Sequence, residues 1–140
     1  MKCFLIICLS LVSFLGLSQS LEGTWNTYNK AGEIKSEVQI YIKDGKLYGK
    51  LNKLGKAAVA KSDAKCVKCT DYRKDQPFIG IVFISGLKKD GNEWSGDKSL
   101  LDPNSGVEYD VKIWLTSEDK LAVRGYLGWF YQTEYWKRKK

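Results

Sequence analysis

Cys66 and Cys69 stand three positions apart in a lysine-rich stretch that includes Lys61, Lys65 and Lys68, and they are the most reactive pairing in the sequence. A redox Cys-x-x-Cys needs its first cysteine at a helix N-terminus in a βαβ setting, where the dipole lowers the thiol pKa. The flanking residues offer neither. A zinc site needs four ligands, and with no histidine anywhere in the chain it would have to recruit carboxylates such as Asp63 or Asp71, or a second molecule. The third chemistry, a local Cys66–Cys69 disulfide, is the default for an exported protein. Closing so short a loop restrains the unfolded chain by only about 2 kcal/mol in the chain-entropy model. The expectation is therefore a disulfide that shapes a loop, with no bound metal.

The absence of histidine excludes serine-histidine-aspartate and cysteine-histidine catalysis and any HExxH zinc site. Gly49 to Lys56 resembles a phosphate-binding loop, but its glycines are one residue too far apart and Ala57 stands where Ser or Thr would bind magnesium. Asp102-Pro103-Asn104-Ser105-Gly106 resembles the start of a calcium loop. Its glycine arrives one position early and no glutamate closes it, so a β-turn is the expected reading. Asp97, Glu108, Asp110 and Glu134 are dispersed carboxylates, read as mostly solvated strand residues. No catalytic residue is assigned and no cofactor is expected.

The elements that would position these residues are short alternating segments separated by turn signals, without an apolar stretch at 3.6-residue spacing long enough for a helix. That is an all-β pattern. Val38, Ile40 and Ile42 alternate with Gln39, Tyr41 and Lys43, and Asp44-Gly45 suits a two-residue type I′ turn. Pairing Lys43 with Lys46 then sets Ile42 against Leu47, Ile40 against Gly49, Val38 against Leu51 and, on the other face, Tyr41 against Tyr48. A second hairpin turning at Asp90-Gly91 places Lys88 opposite Glu93 and Leu87 opposite Trp94. A third, with Ser117, Glu118 and Asp119 at its tip, sets Leu115 against Leu121 and Ile113 against Val123. Phe78 to Leu87 reads as one strand with Ile79, Ile81 and Phe83 on one face and Val82 and Ile84 on the other. The last strand runs from Phe130 to Arg138. Eight to ten strands joined mainly as hairpins predict an antiparallel up-and-down β-barrel, which removes exposed sheet edges. A two-sheet β-sandwich is the alternative layout.

Lys2, the apolar run from Phe4 to Leu15 and the small residues Gly16 and Ser18 form a secretory signal over residues 1–18, with Gln19 as the expected mature N-terminus and residues 19–140 as a single domain. The run is too short to cross a bilayer as a helix. The full chain has 140 residues and a net charge of +7; losing Lys2 leaves 22 basic against 16 acidic groups, a net +6. A basic exported protein meets anionic lipid headgroups or acidic glycans more readily than nucleic acid, and no nucleic-acid partner is expected.

Gly23-Thr24-Trp25 near the start and Trp136-Lys137-Arg138 near the end resemble the lipocalin-type barrel, in which an N-terminal Gly-x-Trp lies beneath a basic residue of the final strand. Stacking of Arg138 on Trp25 would close the barrel floor, a contact worth about 0.5 to 2 kcal/mol. A wider set resembles the bacterial "domain of unknown function 2147" family. It comprises Asp44-Gly45-Lys46-Leu47-Tyr48-Gly49, Cys66-Val67-Lys68-Cys69, Gln76-Pro77-Phe78-Ile79-Gly80, Trp94-Ser95-Gly96, Asp102 to Tyr109 and Leu121 to Gly128, besides the two end motifs. That resemblance implies a small exported lipocalin-like barrel with no established activity. Trp129-Phe130-Tyr131 departs from it, because the family's final hairpin tends to carry smaller residues there.

These readings lead to a non-catalytic binding protein for a small apolar or amphipathic molecule. The alternative is an envelope interaction protein with a filled barrel, whose surface binds protein, lipid headgroup or glycan. For the ligand reading, Tyr126 and Trp129 are expected to line the entrance, and Arg124 to pair with an acidic headgroup if it points inward, although its alternation with Val123 favours the outer face. The loop from Gly55 to Pro77, clipped by its two cysteines, is long enough to lie across the mouth. The oligomeric state is left open.

Overall fold

The computed structural model describes residues 20–140; the expected signal segment and its expected cleavage point lie outside the described residues. The chain folds as eight antiparallel strands: β1 (Gly23–Tyr28), β2 (Ile34–Lys43), β3 (Lys46–Leu54), β4 (Val82–Asp90), β5 (Glu93–Leu101), β6 (Glu108–Ser117), β7 (Lys120–Leu127) and β8 (Phe130–Arg138). Each pairs with the next and β8 returns to β1, closing a barrel and excluding the sandwich. Closure is brief: only Trp25↔Arg138 and Asn26↔Lys137 are register partners across the β1–β8 seam, extended by Lys139 N–H donating to the Thr24 carbonyl at 2.9 Å. The up-and-down order puts the three hairpins β2–β3, β4–β5 and β6–β7 at one end, the floor, with both ends of the barrel chain. Segments 29–33, 55–81, 102–107 and 128–129 gather at the other end, the mouth.

The β2–β3 hairpin has the register that its alternation dictates, including Val38↔Leu51, Ile40↔Gly49, Tyr41↔Tyr48 and Ile42↔Leu47. Asp44 and Gly45 both take positive φ, 52° and 74°, as a type I′ turn requires. The β4–β5 hairpin is shifted from its expected register: Asp90 pairs with Glu93, Lys89 with Trp94 and Lys88 with Ser95. Its two-residue turn is Gly91-Asn92 rather than Asp90-Gly91. With only Gly91 at positive φ (60°), the glycine occupies the first central position, as in a type II′ turn. The third hairpin pairs Leu115 with Leu121 and Ile113 with Val123 as expected; its tip is Glu118-Asp119, with a register shift between Leu115 and Ser117.

The expected strand from Phe78 is also corrected, because β4 begins at Val82. Gly80 breaks the extension at φ 94°, yet the segment stays tied to β3 through Gly80 N–H to Leu51 O (2.6 Å) and Leu51 N–H to Ile81 O (3.0 Å). Phe78 and Ile81 are buried from this irregular segment while Ile79 is exposed. The apolar run thus serves two elements, a loop that packs inward and a strand.

Toward the floor the barrel is filled. Trp25, Val38, Ile40, Leu47, Ile84, Leu87, Val111, Ile113 and Leu121 are all buried. Gly49 contributes by what it lacks, since a Cβ there would come within 2.9 Å of Ile84 Cδ1. Such a floor secures the barrel by apolar burial and leaves the space nearer the mouth for other uses.

Candidate functional site

At the floor, Arg138 sets its guanidinium carbon 4.3 Å from the Trp25 ring centroid. The indole is fully buried and donates from Nε1 to the Leu21 carbonyl at 2.9 Å. Arg138 donates to three backbone carbonyls: Nε to Glu118 (3.1 Å), Nη1 to Glu22 (2.8 Å) and Nη2 to Ser20 (3.0 Å). One side chain therefore ties together the entry segment, the β6–β7 tip and the last strand.

Segment 55–81 is a folded unit rather than a slack cover. Cys66 and Cys69 form a disulfide, both are buried, and Cys66 exchanges backbone hydrogen bonds with Gln76 O (2.8 Å) and Asp75 N (2.9 Å). Arg73, which sequence reading did not single out, is the anchor. Its buried guanidinium donates from Nη2 to Asp71 Oδ2 (2.7 Å) and Glu108 Oε1 (3.0 Å), and from Nη1 to Val82 O (2.9 Å). These partners compensate the desolvation of the charge and fasten the segment to the mouth ends of β4 and β6. The hydrogen bond from Arg73 holds the Asp71 carboxyl below its usual pKa of 3.8. The disulfide packs toward the β5–β6 connection, with Cys66 Sγ 3.5 Å from the Pro103 carbonyl oxygen.

Between this segment and the filled floor lies a cavity of about 560 Å³. Leu51, Leu54, Phe83, Leu100, Leu101, Val123 and Trp136 supply much of its apolar wall, and Phe78 with Ala58 to Ala60 reach it from the mouth. Two charges enter the wall where β1 and β8 separate above Asn26: Lys35 Nζ lies 3.5 Å from Glu134 Oε1, and Trp136 Nε1 donates to Glu134 Oε2 at 3.2 Å. The hydroxyls of Thr27 and Ser36, 2.6 Å apart, border the same gap. The cavity therefore offers a mainly apolar interior with one polar edge. The cysteines do not line it.

Of the residues expected to meet a ligand, Arg124 and Tyr126 lie on the outer face, and Trp129 stands at the mouth without lining the cavity. Arg124 lies on the outer face, its guanidinium carbon 5.0 Å from the Trp114 ring centroid and 4.6 Å from that of Tyr131, and Nε donates to Thr133 at 2.8 Å. Tyr126 packs beside Tyr131 on that outer face. Trp129 sits in the β7–β8 turn and is 93% exposed. The inward residues are the alternating partners Val123, Gly125, Leu127, Phe130, Gln132, Glu134 and Trp136. Strand parity was the available signal, because Arg138 on the floor places Trp136, Glu134 and Gln132 in the same phase.

Among solved structures, the chain is similar to one described as "Protein HP1028 from the human pathogen Helicobacter pylori belongs to the lipocalin family". The TM-score is 0.70 at 22% sequence identity, covering 88% of this chain and 85% of that one. At that identity the likeness shows the fold. No curated protein matches the chain. The family model described as "Uncharacterized protein conserved in bacteria (DUF2147)" matches residues 23–138, from the glycine that opens β1 to the arginine that covers the floor, and the chain belongs to that family.

Proposed function

We propose that this protein is an exported carrier that holds a small amphipathic molecule in its barrel by binding rather than by chemistry. The observation that carries the reading is the cavity of about 560 Å³, within the range of about 300 to 1,000 Å³ usual for small-molecule sites. An apolar tail would lie against Phe83, Leu100 and Trp136, and a polar end would meet Lys35 and Glu134 at the seam. The lipocalin-family description of the structural neighbour agrees with this use of the fold. Export rests on the charged start, the short apolar run and the small residues that end it; N-terminal sequencing of secreted material should begin at or near Gln19.

Binding is tested by titrating delipidated protein with a fatty acid and with an uncharged apolar dye, read through tryptophan fluorescence, to which Trp136 in the cavity wall contributes. Saturable binding at micromolar concentrations is expected. Leu100→Trp, which fills the cavity, should abolish it while the β circular-dichroism signal persists. A folded wild-type sample that binds neither probe would overturn the reading in favour of an envelope protein acting through its surface.

A further inference from the structure

The large apolar side chains that the barrel leaves exposed concentrate at the mouth. Val59 is 92% exposed, Leu127 60%, Trp129 93% and Phe130 63%. Val59, Leu127 and Phe130 also line the cavity, so they form lips around its opening. One lip is the segment Lys56-Ala57-Ala58-Val59-Ala60-Lys61; the other is the β7–β8 tip, where Trp129 packs edge-on against Phe130. Residues 53–68 contain five lysines against one acidic residue, Asp63, and residues 125–133 contain no acidic residue. Asp102, on a third side of the mouth, is engaged by Asn104 N–H at 2.9 Å and the Ser105 hydroxyl at 3.0 Å.

We propose that these lips dock the mouth onto an anionic lipid bilayer. Trp129 would sit at headgroup depth, where amphipathic aromatic rings partition, and Phe130 at the acyl boundary just below, while Lys56 and Lys61 meet the lipid phosphates. Exposed tryptophan and phenylalanine beside lysines match that interface in both polarity and charge. Docking in this pose would put the cavity entrance directly against the membrane. The surface itself does not depend on whether the cavity is filled, so the proposal goes beyond the carrier reading.

The test is sedimentation of the secreted protein, its N-terminus verified by mass, with vesicles of phosphatidylcholine alone or mixed with phosphatidylglycerol. Binding to the anionic vesicles, weakened by salt, is expected. Brominated lipid should quench part of the fluorescence, and Trp129→Ser should remove most of that quenching. Lys56→Gln with Lys61→Gln should lower affinity about 25-fold, at about fivefold for each lysine. Leu100→Trp should leave vesicle binding intact, which separates docking from occupancy of the cavity. Absence of binding to anionic vesicles by the wild type, or equal binding by a folded Trp129→Ser, Phe130→Ser variant, would overturn the proposal. So would a dimer in sedimentation velocity that Trp129→Ser dissolves, because the lips would then belong to a second copy.

Discussion

Gly23 stands two residues before Trp25 where the backbone takes a conformation that favours glycine and where the Arg138 guanidinium lies close by. Its φ of 134° is poorly accessible to other residues, and a Cβ at that position would come 2.9 Å from Arg138 Nη1. The Gly-x-Trp motif is thus a matched part of the arginine's seat. Trp25→Ala should cost about 3 to 5 kcal/mol because the indole is fully buried. Arg138→Ala should cost less, about 1 to 2 kcal/mol, from lost stacking and carbonyl contacts. In a double-mutant cycle followed by urea unfolding the two effects should couple by at least about 0.5 kcal/mol; additive effects would mean that the rings and guanidinium do not support each other. This pair was legible because two sequence-terminal motifs point to one closure. Arg124 was harder to place, since its charge suggested a ligand contact while its parity with Val123 indicated the outside, and the outer aromatic rings Trp114 and Tyr131 explain why that side accepts it.

At the scale of elements, the segment between β3 and β4 is tied to the barrel wall by one buried cation, whereas its disulfide joins residues within the segment and, over four residues, contributes only about 2 kcal/mol to stability. Asp71 gives this anchorage a pH dependence. Its folded pKa lies below the ordinary 3.8 because Arg73 hydrogen-bonds to its ionised form, so the unfolded chain takes up the proton first as pH falls. The stabilisation is fully present above the ordinary value and disappears as pH drops through the lowered one. Asp71→Asn should therefore flatten the acid limb of the melting temperature as pH falls below the ordinary carboxylate value of 3.8. An unchanged acid limb in Asp71→Asn would remove this pair from the account. Little of the anchorage could be read from sequence, because Asp71, Arg73 and Glu108 converge only after the segment has folded back. The expected strand start at Phe78 missed for the same reason: Phe78 and Ile81 carry apolar side chains whose burial belongs to the segment's own packing.

For the whole molecule, hairpin arithmetic and the two end motifs were enough to imply a closed antiparallel barrel. The cavity was not legible. Its lining is drawn from residues far apart in sequence, from Thr27 through Leu54, Phe83 and Leu101 to Trp136, which meet only once the barrel has closed, so no local pattern marks it. The brief seam between β1 and β8 has a consequence for molecular association. A sheet joined over two register pairs is a curled ribbon fastened at one corner, and Arg138 is the fastening. Should that corner release, the ribbon would present two free edges, the pairing templates through which identical chains exchange terminal strands or stack edge to edge. By holding that corner shut, the arginine that closes the floor also keeps each ribbon paired with itself.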